Sequence, residues 1–446
     1  MTSAETAALS VLGRPLRNHH PAATTTNFDT EREFVHAVLE SGHWGLDSVG
    51  GRPLLPGAAI DETVAAGLGV EQARAAAEFA HYQQVPHAVP VSSGTRAIVV
   101  ALMAAAVAAP LLGRRALLPG MKVLVPGLTW QATPAAPVDR RLAPVFLDID
   151  PATGVLDTGT VVRALEADRD REIAAAVIPD LYCRMVDMPE IARVCAEYGV
   201  TSIEDCAHAH GGVVRGRPAG SVADFGTWSF QSSKSIGIGE GGMISTPHGP
   251  LVDQLVSLTT CGRPLGTSVP FQAGNERLPA LGAALLRARM RRFYTGELAA
   301  KQHGLMALES TISDTPGLAP MTSQPHVDRQ ITYKVLARAE PGAFAGLPLP
   351  LLARAYAHLL GCEVTPVYEP LDRTDVYQPL TDPANRWSES YFAALDPRRF
   401  DLSRAHALAE TTFAFEHAVL LDPDFPELFI RASEILGDRA EHLLSA

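Results

Sequence analysis

Lys234 stands in WSFQSSKSIGIGEGGMIST, from Trp228, among serines and ahead of a flexible glycine run. A lysine amine adds to carbonyls only where burial or a nearby positive charge lowers its pKa, and most lysines are solvated surface charges instead. What raises Lys234 above that background is the series before it. VTSIED ends on Glu204 and Asp205 and continues into Cys206, Ala207, His208, Ala209 and His210. A strand-end carboxylate can keep a pyridinium nitrogen protonated and so make the ring an electron sink, although acidic strand ends are common. Trp130, in VLVPGLTWQAT, lies just beyond a strand and suits either the face of a heteroaromatic ring or a place in the core. Ser93, Gly94 and Thr95 precede a strong helix-forming run. Exposed N–H groups at a helix start, with a hydroxyl and a glycine, make a phosphate cradle, and equally an ordinary N-cap.

These residues need a scaffold that brings strand ends together. Short β-branched runs alternate with helical patterns through the middle of the chain, the mark of βαβ units and a mostly parallel sheet. Strands are expected in KVLVPGL, APVFLDI, AAAVIPDLY, VTSIED, FGTWSF and GGMIST, and helices in VVRALEAD and MPEIARVCAEYG. The fold class is therefore α/β, with a doubly wound core from about Ser92 to Pro247, where ligands collect at the carboxyl ends of strands. Long helical patterns follow from Leu278 to Leu308, and a mixed tail begins near Asp328. The expected organisation is an N-terminal segment over 1–50, a large domain over 51–300 and a smaller C-terminal α/β domain over 301–446. GGRPLLPGAA, from Gly50, reads as a surface loop.

Composition narrows the partners. The chain has 446 residues, 47% hydrophobic and 19% charged, with a formal net charge of −12 and no basic run to meet a nucleic acid. Its five widely spaced cysteines fit a reduced, cytoplasmic thiol set. The apolar stretch from Ala101 to Leu112 is too short to span a bilayer, and the first twenty residues hold no signal-peptide core. GIGEGG, from Gly237, satisfies GxGxxG, but it leads into a strand and the next acidic residue beyond it, Asp253, comes too early for a dinucleotide fingerprint. An NAD-dependent oxidoreductase is disfavoured for that reason. Cys206, His208 and His210 match no closed zinc set, and no metal is expected.

The blocks SSGTRA, VPGLTWQAT, PVFLDIDPATGVLD, LYCRMVDMPEIARVCAEYGV, IEDCAHAHGG and WSFQSSKSIGIGEGG, in that order, resemble the DegT/StrS family of sugar and aminocyclitol aminotransferases. The likeness is strong from roughly Gly42 to Gly262. It implies a fold-type-I enzyme dependent on pyridoxal 5'-phosphate, with Lys234 as the Schiff-base lysine, Asp205 on the pyridine nitrogen and His208 near the phenolic oxygen. It also implies Trp130 as the ring stack, with Ser93, Gly94, Thr95 and Ser229 around the phosphate. Asn275, in AGNERLPALGAALL, takes the place of a residue that reaches the neighbouring subunit's cofactor in a homodimer. Members that dehydrate sugars have histidine where this chain has Lys234, and non-catalytic relatives lose the lysine or aspartate, so transamination is favoured. Departures from the family pattern are Pro279, Cys183 where LYG is usual, and an extra loop near Gly50 to Gly69.

The tail bears on substrate. YEPLDRTDVYQPLTDPANRW, from Tyr368, LDPRRFDLS, from Leu395, and FAFEHAVLL, containing His417, resemble the branch acting on inososes. That branch implies glutamine or glutamate as donor and a cyclic polyhydroxy ketone as acceptor, such as scyllo-inosose or a C7 cyclitol, in antibiotic biosynthesis. SFQSSK with TTCGRP also resembles the aminohydroxybenzoate synthases. A nucleotide-sugar aminotransferase is the further alternative, for which only scattered cations such as Arg263 and Arg277 are on offer.

Overall fold

The computed structural model describes residues 9–17, 28–42, 44 and 54–445. Half of the N-terminal segment and the start of the GGRPLLPGAA loop lie outside them. Seven strands form the main sheet: β1 (His87–Val91), β2 (Lys122–Pro126), β3 (Ala143–Leu147), β4 (Ile173–Pro179), β5 (Thr201–Asp205), β6 (Phe225–Ser229) and β7 (Gly242–Thr246). Their order is β1-β7-β6-β5-β4-β2-β3. β7 runs antiparallel to both β1 and β6, and the remaining pairs are parallel. β4, β5, β6 and β7 are buried along their whole length, as strands covered by helices on both faces must be, and β4, IAAAVIP, accordingly reads as a continuous apolar run.

The helix Gly94–Leu112 is the core helix of this layer. Ser93 Oγ accepts the Arg96 N–H at 3.2 Å, and Gly113, at φ 63°, ends the helix in the left-handed region. At 19 residues it is long and apolar enough to cross a membrane by those measures, which corrects the shorter stretch expected from sequence. Its residues from Ala97 to Ala109 are nevertheless largely buried in the main core against the sheet. The extra loop near Gly50 to Gly69 also contains more structure than expected. Asp61 accepts the N–H groups of Thr63 and Val64 and starts a helix, Glu62–Leu68.

The long helical pattern resolves into Ala280–Arg292, a wider π turn over Phe293–Glu297, and Leu298–Asp314. Residue 300, the expected boundary, therefore falls inside a helix. Arg287, fully buried, bonds Glu71 at 2.6 Å and Glu78 at 2.8 Å, clamping the helix Ala280–Arg292 to the helix Val70–Gln83. Beyond it, β8 (Leu318–Ala319), β9 (Val335–Ala339), β10 (Val364–Pro366) and β11 (Thr412–Phe415) form an antiparallel sheet ordered β8-β9-β11-β10. A second core gathers around it, in which Tyr356 stacks between Phe413 and Phe429. The starts of β9 and β10 reach the carboxyl ends of the main-sheet strands.

Candidate active site

The parallel strands deliver their next residues to one edge of the sheet, and a cleft of about 450 Å³ opens there. Its lining includes Ser93, Gly94 and Thr95 after β1, Trp130 after β2, Asp205 at the end of β5, then His208, Ser229 and Lys234. Eight of the nine site residues expected from the sequence thus share one cavity. Asn275 does not line it. It is exposed, in a loop held to the site by Glu276, whose carboxylate meets Arg96 at 2.7 Å and whose carbonyl accepts the Ser92 N–H at 2.8 Å.

Gly94 is required by close approach. A Cβ there would stand 2.6 Å from the Cβ of Ser229, so a side chain would close the gap between the helix start and the end of β6. The N-cap and anion-cradle readings of SSGT are compatible, since Ser93 caps the helix while the helix start opens into the cleft.

Asp205 is buried and polarised from two sides. Thr133 Oγ1 donates to Oδ2 at 2.9 Å, and the Ala207 N–H donates to Oδ1 at 3.2 Å. Burial nonetheless lifts its pKa, with these bonds and the charge of Lys234 pulling the other way. Burial pushes the Lys234 ammonium down to about 8, opposed by Asp205 and aided by Lys334. A lysine so placed is a free amine at mildly alkaline pH. Its Nζ lies 4.9 Å from the centre of the Tyr333 ring.

His208 stacks on Tyr333 with ring centres 3.9 Å apart and accepts the Tyr182 N–H at Nδ1, at 3.0 Å. Burial, with Lys234 nearby, pushes its pKa well below the usual value. The ring is therefore neutral, with its hydrogen on Nε2. Trp130 is 44% exposed and 5.5 Å from the ring of Tyr368. It is a wall of the cleft, whereas Trp228 is the fully buried core tryptophan of this region.

Behind Asp205, Asp180, Glu204 and Cys206 bring their ligand atoms within 4.8 Å of one another. Glu204 accepts the Gly220 N–H at 2.8 Å, and Asp180 accepts the Val186 N–H at 2.9 Å. Burial raises both carboxyl groups, Glu204 to about 7, and the closeness of Glu204 raises Asp180 further. Two carboxyl groups so close cannot both ionise, so this floor of the site holds a proton. Cys206 therefore clusters with acids and not with the histidines that follow it in sequence.

Such a cleft offers an amine, a strand-end carboxylate, a neutral imidazole and a row of N–H groups. The model of the DegT/DnrJ/EryC1/StrS aminotransferase family matches residues 59–394. The chain belongs to this family. Among its curated relatives is an L-glutamine:2-deoxy-scyllo-inosose aminotransferase of Streptoalloteichus tenebrarius, 31% identical over 421 residues, 91% of this chain and 92% of the relative. An L-glutamine:scyllo-inosose aminotransferase of Streptomyces griseus is 30% identical, covering 78% of this chain and 81% of that protein. The crystal structure of a 3-amino-5-hydroxybenzoic acid synthase aligns with TM-score 0.73 and 25% identity, over 94% of this chain and 98% of that one.

This aminotransferase also carries cleft residues that stand in no motif of the sequence: Asp180, Tyr333, Lys334 and Glu363. Tyr333 and Lys334 lie in ITYKVLARA, which shows only an ordinary strand pattern, and nothing local says that the tail sheet meets the main sheet. Tyr368, by contrast, opens one of the tail blocks already noted.

Proposed function

We propose that this aminotransferase moves the amino group of glutamine onto the ketone of a cyclic polyol, of the scyllo-inosose or 2-deoxy-scyllo-inosose kind, with pyridoxal 5'-phosphate held in the cleft. The observation that carries the chemistry is the pairing of Lys234, its amine pushed down to about 8, with buried Asp205 in one cavity. The cavity fits the cofactor on its donors. The helix start with Ser93, Gly94, Thr95 and Ser229 suits a phosphate, Asp205 a protonated ring nitrogen, neutral His208 a phenolic oxygen, and Trp130 a ring face. When bound, the group supplies an aldehyde for an amine and an electron sink for a deprotonated carbon.

The chain's own residues then have defined tasks. Lys234 Nζ, once free, takes the proton from the donor α-carbon and returns one to the acceptor carbon in the second half of the cycle. Asp205 keeps its negative charge on the ring nitrogen throughout. The substrate reading draws on the relatives' names and on the tail blocks shared with the inosose branch. It also draws on the cleft walls, which among the described residues carry lysine and no arginine. Arginine forks suit the phosphates of a nucleotide sugar, whereas hydroxyl groups need no such clamp.

We further propose a cytoplasmic homodimer in which Asn275 of each chain completes the other's site, working in aminocyclitol antibiotic biosynthesis. The cofactor assignment is tested by borohydride reduction of the reconstituted enzyme and peptide mass spectrometry. The adduct is expected on Lys234, and an adduct on another lysine would overturn the assignment.

A further inference from the structure

Lys334 and Glu363 enter the cleft from the residues just before β9 and β10. Val335 and Val364 both pair with Phe415 of β11, so the two charged residues stand level on either side of the central strand. Their side chains meet, with Lys334 Nζ 2.5 Å from Glu363 Oε1. The two halves of the pair differ in exposure, 15% for the lysine side chain and 55% for the glutamate. An ion pair with one partner in water is worth about 0–1 kcal/mol. A carboxylate arriving from inside the cleft can therefore take the lysine while Glu363 returns to solvent at small cost.

Lys334 lines the same cleft as Lys234 and His208. Its charge is felt at Lys234 and at His208. Of the described cleft-lining residues it is the one cation besides Lys234, and Lys234 is committed to the chemistry. Glutamine carries one carboxylate, and an incoming anion in this cleft meets Asp205, Glu240 and Glu363 as well. Without a cation of its own it would be repelled.

We propose that Lys334 binds the carboxylate of the amino donor and that Glu363 is the counter-ion it exchanges, an assignment that rests on the glutamine reading above. In the donor half of the cycle the glutamine carboxylate replaces Glu363 on Lys334. In the acceptor half a neutral polyol brings no carboxylate, the Lys334–Glu363 pair closes again, and its N–H and carboxylate groups face hydroxyls. One cleft thereby accepts a charged and an uncharged substrate in turn. Lys334 and Glu363 are specificity residues in this scheme and take no part in proton transfer.

The test uses the cofactor-loaded enzyme and ligands that cannot react: glutaramate, which is glutamine without its amino group, and myo-inositol, a neutral polyol without a ketone. Calorimetric titration of Lys334→Met should show glutaramate weakened about tenfold, as for one lost charge-assisted hydrogen bond, with myo-inositol little changed. Lys334→Arg should recover most of the loss. Glu363→Gln should tighten glutaramate and weaken myo-inositol, a reversal that general unfolding cannot produce. If the parent enzyme binds glutaramate and Lys334→Met binds it equally well, the assignment is wrong while the donor reading stands. If the parent does not bind glutaramate, the donor reading falls and takes the assignment with it.

Discussion

His417 donates its Nε2–H to the carbonyl of Ser233, 3.2 Å away, and so holds the residue that precedes Lys234. Its tautomer is set from the other side. Nδ1 lies 3.0 Å from the Nζ of fully buried Lys301, which Glu297 binds at 2.8 Å. An ammonium only donates, so Nδ1 must accept and the ring hydrogen must sit on Nε2. Burial and Lys301 together push the histidine well below its usual pKa and keep it neutral. His417→Ala should lower kcat about 10-fold to 100-fold, in line with loss of an orienting bond, while cofactor affinity changes little. Steady-state kinetics beside a cofactor titration checks this, and an unchanged kcat would remove His417 from any positioning role.

Lys234 should make the cofactor-free protein less stable at neutral pH. Its folded pKa of about 8 lies below the ordinary 10.5, so the unfolded chain binds the extra proton between those values and stability rises with pH through that window. Lys234→Met should therefore be the more stable protein at pH 7, by roughly 3 kcal/mol, with the difference shrinking from pH 8 to 10.5. Urea unfolding of both cofactor-free proteins at several pH values measures it. A difference that stays constant with pH would mean that the amine is not held below its ordinary pKa.

Asp205 should matter more for rate than for holding the cofactor, because its charge acts on the electron sink while the helix start supplies the phosphate contacts. Asp205→Asn keeps the Thr133 bond in outline, since the amide oxygen can accept as Oδ2 does now. Cofactor retention with turnover reduced at least about 100-fold is expected, the loss of a preorganised charge. Equal turnover in the two proteins would show that another group protonates the ring.

Asn275 is exposed on its own chain and absent from its own cleft, as a residue serving a neighbouring site would be. Mixing inactive Lys234→Ala chains with inactive Asn275→Asp chains should restore part of the activity, because one of the two hybrid sites is then intact. Sedimentation showing a fully active monomer would end the shared-site proposal.

The residues legible in the sequence were those whose role leaves a local pattern. β4 announces itself as an unbroken apolar run because helices cover both its faces, whereas Asp205 and Lys234 are legible from the blocks that hold them, IEDCAHAHGG and WSFQSSKSIGIGEGG. Lys334 and Glu363 were not, because each is a single charged residue at the start of a short strand. What makes them a pair is the shared register with Phe415, a tertiary fact. The helix Gly94–Leu112 starts where the sequence places a helix start, at Ser93, and exceeds the apolar stretch from Ala101 to Leu112 because its first turns begin with the polar GTR.

The central claim is that the amino nitrogen of glutamine ends on a cyclic polyol. Glutamine labelled with heavy nitrogen at its α-amine should be offered with scyllo-inosose, 2-deoxy-scyllo-inosose, a C7 cyclitol ketone and a nucleotide-linked keto sugar in parallel, and the products weighed by mass spectrometry. The account predicts labelled amine on at least one free cyclitol and none on the nucleotide-linked sugar. Label found on the nucleotide-linked sugar alone would contradict it.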